Sequence, residues 1–201
     1  AGKSPVRLLL IAGFLGSGKT TLTINLARAA VARGKKVAIL VNEIGAIGID
    51  NQLMRQLELN VFQLFGGCIC CSLAGDLVSS LQQLDMAYDP DLVMVEPSGA
   101  AEPGNILNAL PYYDGRPLDN ITTLALLDPT RLSELYEVLT PLITRQAQGA
   151  DWLVVTKADL AQPEEVEVAV RIATGINPRA RLVKVDARAP LDQALVEEWV
   201  G

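Results

Sequence analysis

The stretch Gly13-Phe14-Leu15-Gly16-Ser17-Gly18-Lys19-Thr20 limits what this chain can fold into more than any other feature. It follows an apolar run at residues 6–12 and opens a helical segment reaching to about residue 33. Its glycines let the backbone wrap closely enough for several N–H groups to face one anion. The helix starting here adds the positive end of its dipole. Lys19 can reach β- and γ-phosphates, and the Thr20 hydroxyl suits a Mg²⁺ ion. A G-x-x-x-x-G-K-[ST] pattern set between strand and helix is a phosphate-binding loop. Gly13, Gly16, Ser17, Gly18, Lys19, Thr20 and Thr21 therefore form the expected nucleotide-binding set, with Lys19 also catalytic. The loop alone does not separate a GTPase from an ATPase or a kinase.

The rest of the chain supports an α/β reading. Half of the 201 residues are apolar but only 4% are aromatic, so the core is aliphatic. Short Val/Ile/Leu runs at residues 36–41, 60–65, 92–95, 121–127, 152–155 and 182–185 fit strands buried on both faces. Between them, Leu73, Leu77, Leu81 and Leu84, and then Leu132, Leu135, Leu139 and Leu142, keep helical spacing. Residues 164–174 and 191–200 read as further helices. The expected fold is a three-layer P-loop NTPase: a mostly parallel, doubly wound sheet with helices on both faces and ligands at the strands' carboxyl ends. One domain spanning residues 1–201 is expected. No apolar run is long enough to cross a bilayer and no signal peptide is read, so a cytoplasmic location is expected. A net charge of −6 without an arginine stripe argues against a nucleic-acid partner. Histidine is absent, so catalysis and metal binding must use other side chains.

Other strand ends supply further candidates. Glu96-Pro97-Ser98-Gly99 follows residues 92–95. Glu96 can hold Mg²⁺ or orient water, and the Gly99 N–H can meet the γ-phosphate, so both join Lys19 as catalytic candidates. Thr156-Lys157-Ala158-Asp159 follows residues 152–155 as a variant of the Asn-Lys-x-Asp guanine signature. A carboxylate at Asp159 can accept from guanine N1–H and the 2-amino group, whereas adenine presents a lone pair at N1. The same four residues could also be a helix cap. The loop at residues 42–50 carries two glycines with Glu43 and Asp50, and suits a segment that responds to the γ-phosphate. Asp50 joins Thr20 and Glu96 as a magnesium candidate. Asp186 and Arg188 follow the last strand at the base side.

All three cysteines fall in Cys68-Ile69-Cys70-Cys71, directly after Gly66-Gly67. So tight an odd-numbered cluster is a poor disulfide framework. Thiolates at this density bind Zn²⁺, Cu⁺ or Co²⁺. In an extended segment Cys68 and Cys70 share a face, leaving Cys71, a carboxylate such as Glu43, water or a second molecule to complete the shell. Buried free thiols and a redox pair are the other readings.

Together these motifs resemble the CobW-type metal-chaperone GTPases, relatives of HypB and UreG. The likeness runs in order through residues 13–20, 42–50, 66–71, 96–103, 156–159 and Asn177-Pro178-Arg179-Ala180. It implies GTP hydrolysis with Mg²⁺, coupled to delivery of zinc or cobalt to a client metalloprotein or cofactor-biosynthesis protein; the lack of histidine and of an evident arginine finger predicts that hydrolysis is slow. Cys68 and Cys70 would carry the metal, with Cys71 and Glu43 assisting. A monomer, or a dimer controlled by nucleotide or metal, fits the resemblance. Ala46, Pro97 and Thr156 stand where the family often has Glu, Thr and Asn, and the family's usual carboxy-terminal domain is not found in residues 1–201. A small-molecule kinase or ATPase, and a nucleotide-gated interaction module, are the competing readings; each leaves the cysteines structural or redox-active.

Overall fold

Residues 3–14, 16–41, 60–63, 73–97, 102–186 and 188–201 are described by a computed structural model. Seven strands form one sheet: β1 (Val6–Gly13), β2 (Val37–Val41), β3 (Asn60–Gln63), β4 (Leu92–Glu96), β5 (Leu118–Leu127), β6 (Trp152–Thr156) and β7 (Arg181–Val185). Their order is β3-β2-β4-β1-β5-β6-β7. Every pairing is parallel. The helices are α1 (Lys19–Ala32), α2 (Leu73–Ala87), the short α3 (Pro103–Leu107), α4 (Leu132–Gln148), α5 (Pro163–Ile176) and α6 (Gln193–Val200).

Side-chain alternation along β1 builds two opposite cores. Leu9 and Ile11 face α1 and α6, meeting Leu22, Leu26, Val196 and Trp199. Leu8 and Leu10 face the other way, toward Leu77, Leu81 and Leu84 of α2 and Ile106 of α3. Farther along that second face, Leu127 and Leu153 pack on Ile143 and Ala147 of α4 and on Ala169 and Ala173 of α5. Continuous apolar strands are thus needed because helices cover both sheet faces. Trp199 meets Trp152 edge-on at 5.4 Å between centroids, and the Arg181 guanidinium lies 4.0 Å from the centre of the Trp152 ring. Among the described residues no helix is long and apolar enough to cross a membrane.

Two of the expected elements differ in form from the reading. β5 begins at Leu118 rather than at residue 121, because Val6 pairs with Leu118 and Arg7 with Asp119 across a register shift. This extension is mostly exposed and includes Asn120 at φ 48°, so hydrophobicity gave no sign of it. α4 does not present Leu132, Leu135, Leu139 and Leu142 as one buried stripe. Pro141 lacks the N–H that would bond the Glu137 carbonyl, and Leu139 leaves helical geometry at φ −124°, ψ 33°. Beyond the kink Ile143, Gln146 and Ala147 take the buried positions.

The Asn177-Pro178-Arg179-Ala180 segment has a structural role. Asn177 Nδ2 donates to the carbonyls of Ala147 (2.8 Å) and Ala150 (3.0 Å), while its Oδ1 accepts from Ala180 N (3.1 Å). One buried amide thereby ties the end of α4 to the start of β7. Replacing it strands several buried backbone groups at once. Asn177→Ala is expected to cost about 2 kcal/mol in urea or thermal unfolding. Nucleotide affinity measured below the unfolding transition should not change.

Candidate functional site

Parallel pairing brings every strand's carboxyl end to one edge, and β1 sits at its centre. Gly13 pairs with Leu126 and Leu10 with Val95. The register therefore places the loop after β1 between Glu96 at the end of β4 and Asp128 just beyond β5. To the left lies β4 and to the right β5, which is where a doubly wound sheet opens its crevice.

Gly13 cannot be replaced without moving the loop. A Cβ there would lie 2.8 Å from Ser17 Oγ and 3.0 Å from the Leu126 carbonyl oxygen. Gly18 caps α1 in the left-handed region at φ 95°. The first N–H groups of α1, from Lys19 onward, have no intrahelical acceptor, and the first turn holds no carboxylate to compete for them. This cradle favours an anion. Thr21 is exposed in the same turn, and Ser17 is buried with its hydroxyl unpartnered among the described residues.

Lys19 is 8% exposed, and its Nζ donates to the Pro97 carbonyl at 3.3 Å. Thr20 Oγ1 donates to Glu96 Oε1 at 3.0 Å, joining residues 76 positions apart. Burial holds the Lys19 ammonium below its ordinary value of 10.5, partly offset by the Glu96 charge. Burial likewise lifts the Glu96 carboxyl above 4.5, against the pull of the Thr20 hydrogen bond and of Lys19. Both groups are strained in their charged forms and gain from a ligand that brings the missing charge. A hydroxyl and a half-buried carboxylate side by side are hard oxygen donors, the set Mg²⁺ prefers. When bound there, Mg²⁺ would neutralise phosphate oxygens.

The end of β6 locks onto the loop from the other side. Thr156 is fully buried, and its hydroxyl donates to the Ser17 carbonyl at 2.6 Å. Lys157, at φ 54°, turns its Nζ onto the Gly16 carbonyl and onto Asp128 Oδ2, the latter at 3.2 Å. Asp128 is 6% exposed, and its other oxygen accepts the Thr130 hydroxyl at 2.6 Å and the Thr130 N–H at 3.0 Å. Sequence reading missed Asp128. The rule that found Glu96, an acid directly after a buried strand, would also have found it. Asp159 is exposed at the same edge and pairs with Arg188 at 3.3 Å. Thus Gly13, Gly16, Ser17, Gly18, Lys19, Thr20, Glu96, Thr156 and Lys157 form one contiguous site. Glu43, Asp50, Cys68, Cys70, Cys71 and Gly99 lie outside the described residues. Among the described residues no group of three or more Cys, Asp or Glu is placed to hold a metal ion.

The family model for the CobW/HypB/UreG nucleotide-binding domain matches residues 7–184. The chain belongs to that family. This CobW-type domain is 35% identical to the zinc chaperone YeiR of Escherichia coli over 167 residues, 82% of this chain and 50% of the relative. It is 30% identical to the zinc chaperone YjiA of the same organism over 197 residues, 94% of this chain and 57% of the relative. The chain spans about half the length of the curated relatives it matches. The Zn(II)-bound YjiA GTPase structure from E. coli superposes with a TM-score of 0.70 at 25% identity, covering 98% of this chain and 63% of that one. The hydrogenase maturation factor HypB from Archaeoglobus fulgidus shares the fold at a TM-score of 0.65 and 20% identity, covering 97% and 87%.

The two shifted groups give this CobW-type domain a testable pH dependence. If Lys19 holds the triphosphate through its ammonium, affinity should fall with rising pH from a point below 10.5. If Glu96 holds Mg²⁺ through its carboxylate, affinity should fall with falling pH from a point above 4.5. Dissociation constants for a Mg²⁺–nucleoside triphosphate, corrected for the nucleotide's own titration, check both limbs. Glu96→Gln should flatten the acid limb, and an unchanged acid limb would remove Glu96 from the ion's shell.

Proposed function

We propose that this chain is the GTP-hydrolysing part of a zinc metallochaperone. The observation that carries the reading is the bonding of Thr156 and Lys157 to the carbonyls of Ser17 and Gly16. It makes the phosphate loop and the Thr-Lys-x-Asp turn one rigid unit, with Asp159 at its outer end. A carboxylate fixed relative to the phosphates suits guanine, which offers two donors to it, and disfavours adenine, which offers a lone pair.

In this reading Lys19 bears on the β- and γ-phosphates and Glu96 orients water beside them. Thr20, Glu96 and Asp50 supply oxygen donors for Mg²⁺, and the Gly99 N–H meets the γ-phosphate. The chain has no histidine, which fits slow intrinsic hydrolysis that a client or a bound metal accelerates. Cys68, Cys70 and Cys71, with Glu43, offer soft and borderline donors for Zn²⁺, or for Co²⁺ in the same shell. Support comes from the names of the relatives, zinc chaperones and a zinc-regulated GTPase metalloprotein activator. Further support is the solved zinc-bound YjiA GTPase. Delivery to a client metalloprotein follows as the use of such a cargo.

Two measurements test the proposal. Asp159→Ala should erase the preference for GTP over ATP, by a factor on the order of 10² or more, while leaving triphosphate binding in place. An unchanged preference removes the guanine assignment. Zn²⁺ affinity measured with and without a non-hydrolysable GTP analogue should differ, and GTP affinity should shift by the same factor on adding Zn²⁺. Equal zinc affinities in the two states would end the coupling of nucleotide to metal.

A further inference from the structure

The geometry points to Arg188 as a second base-reading residue, one that donates to guanine O6 beside Asp159; this inference rests on the guanine reading above. Arg188 follows β7, and its backbone N–H donates to Asp186 Oδ1 at 3.0 Å. The same carboxylate oxygen lies 3.7 Å from Arg188 Nε, and Arg188 Nη2 donates to Asp159 Oδ2 at 3.3 Å. Two carboxylates therefore hold the guanidinium at the rim of the base turn. Arg188 also lines an open groove of about 370 Å³ between α1 and α6, together with Asn25 and Arg28. Its side chain is mostly exposed, so a ligand at the turn can reach it.

An aspartate and an arginine fixed side by side present acceptors next to donors. Guanine offers the complementary edge: the 2-amino group and N1–H donate, and O6 beside them accepts. A carboxylate has about four lone-pair positions, so one contact from Arg188 leaves room for the two guanine donors. A guanidinium carries five N–H donors, enough to keep Asp159 and reach O6 at once. Adenine reverses the order, with an acceptor at N1 and an amino group where O6 would be. It would meet like groups at both places. The withdrawal of Thr156 strengthens the case: its hydroxyl is spent on the Ser17 carbonyl in the fully buried interior, so it does not read the base.

The test compares affinities for GTP, 6-thio-GTP and ITP by displacement of a fluorescent guanine nucleotide. Sulfur at position 6 is a weak acceptor, and inosine lacks the 2-amino group that Asp159 reads. The unmodified protein should favour GTP over 6-thio-GTP by roughly tenfold, the size of one charge-assisted hydrogen bond. Arg188→Ala should bind those two alike and still favour GTP over ITP; Arg188→Lys should keep part of the preference. Arg188 is 64% exposed, so neither change touches the core. The inference is overturned if Arg188→Ala keeps the GTP preference over 6-thio-GTP. It is equally overturned if that variant binds GTP more tightly than the unmodified protein, since Arg188 would then only compete for Asp159. If Asp159→Ala leaves the GTP-over-ITP preference intact, the guanine reading itself falls and takes this inference with it.

Discussion

A backbone loop that turns its N–H groups inward to hold an anion must turn its carbonyls outward, and those carbonyls need donors. In this chain the donors come from β6 and the turn after it. Thr156 takes the Ser17 carbonyl and Lys157 takes that of Gly16, each reaching across about 140 residues of sequence. Without them the loop would lose the outward partners that keep its inner face set for phosphate. The rest of the site is built around that closure: Asp128 holds Lys157, Thr130 holds Asp128, and the parallel register puts all of them at one edge.

The opposite wall is held by charge. Lys19 is buried and Glu96 half-buried, and each lowers the other's cost of ionisation, though not enough to restore ordinary values. Such residual cost favours any ligand that brings the missing opposite charge. This is electrostatic preorganisation: the protein holds awkward charges in place so that the ligand relieves them.

Much of this was legible in the residues. Gly13 to Thr20 gave the loop, short Val/Ile/Leu runs gave the parallel sheet, and Glu96 and Lys157 followed from their places after buried strands. What escaped was set by tertiary contact. The polar start of β5 is a strand only because Val6 and Arg7 lie beside it. The kink in α4 moved the buried stripe from Leu139 and Leu142 to Ile143 and Ala147. Thr156 read as a weaker Asn; its smaller, fully buried hydroxyl serves the loop instead. Asn177 was visible only as part of a family motif, since its value lies in carbonyls some 30 positions away. The cysteines, Glu43, Asp50 and Gly99 rest on sequence chemistry alone.

Trp152 and Trp199 are the chain's two tryptophans, and they touch each other. Trp152 begins β6 whereas Thr156 ends it, so the pair lies about 13 Å of strand away from the phosphate loop. Intrinsic emission from this protein is therefore a gauge of whether α6 remains seated on the sheet, and it is largely blind to what occupies the loop. Ligand occupancy has to be followed by a label on the nucleotide or by an aromatic residue introduced at the carboxyl edge.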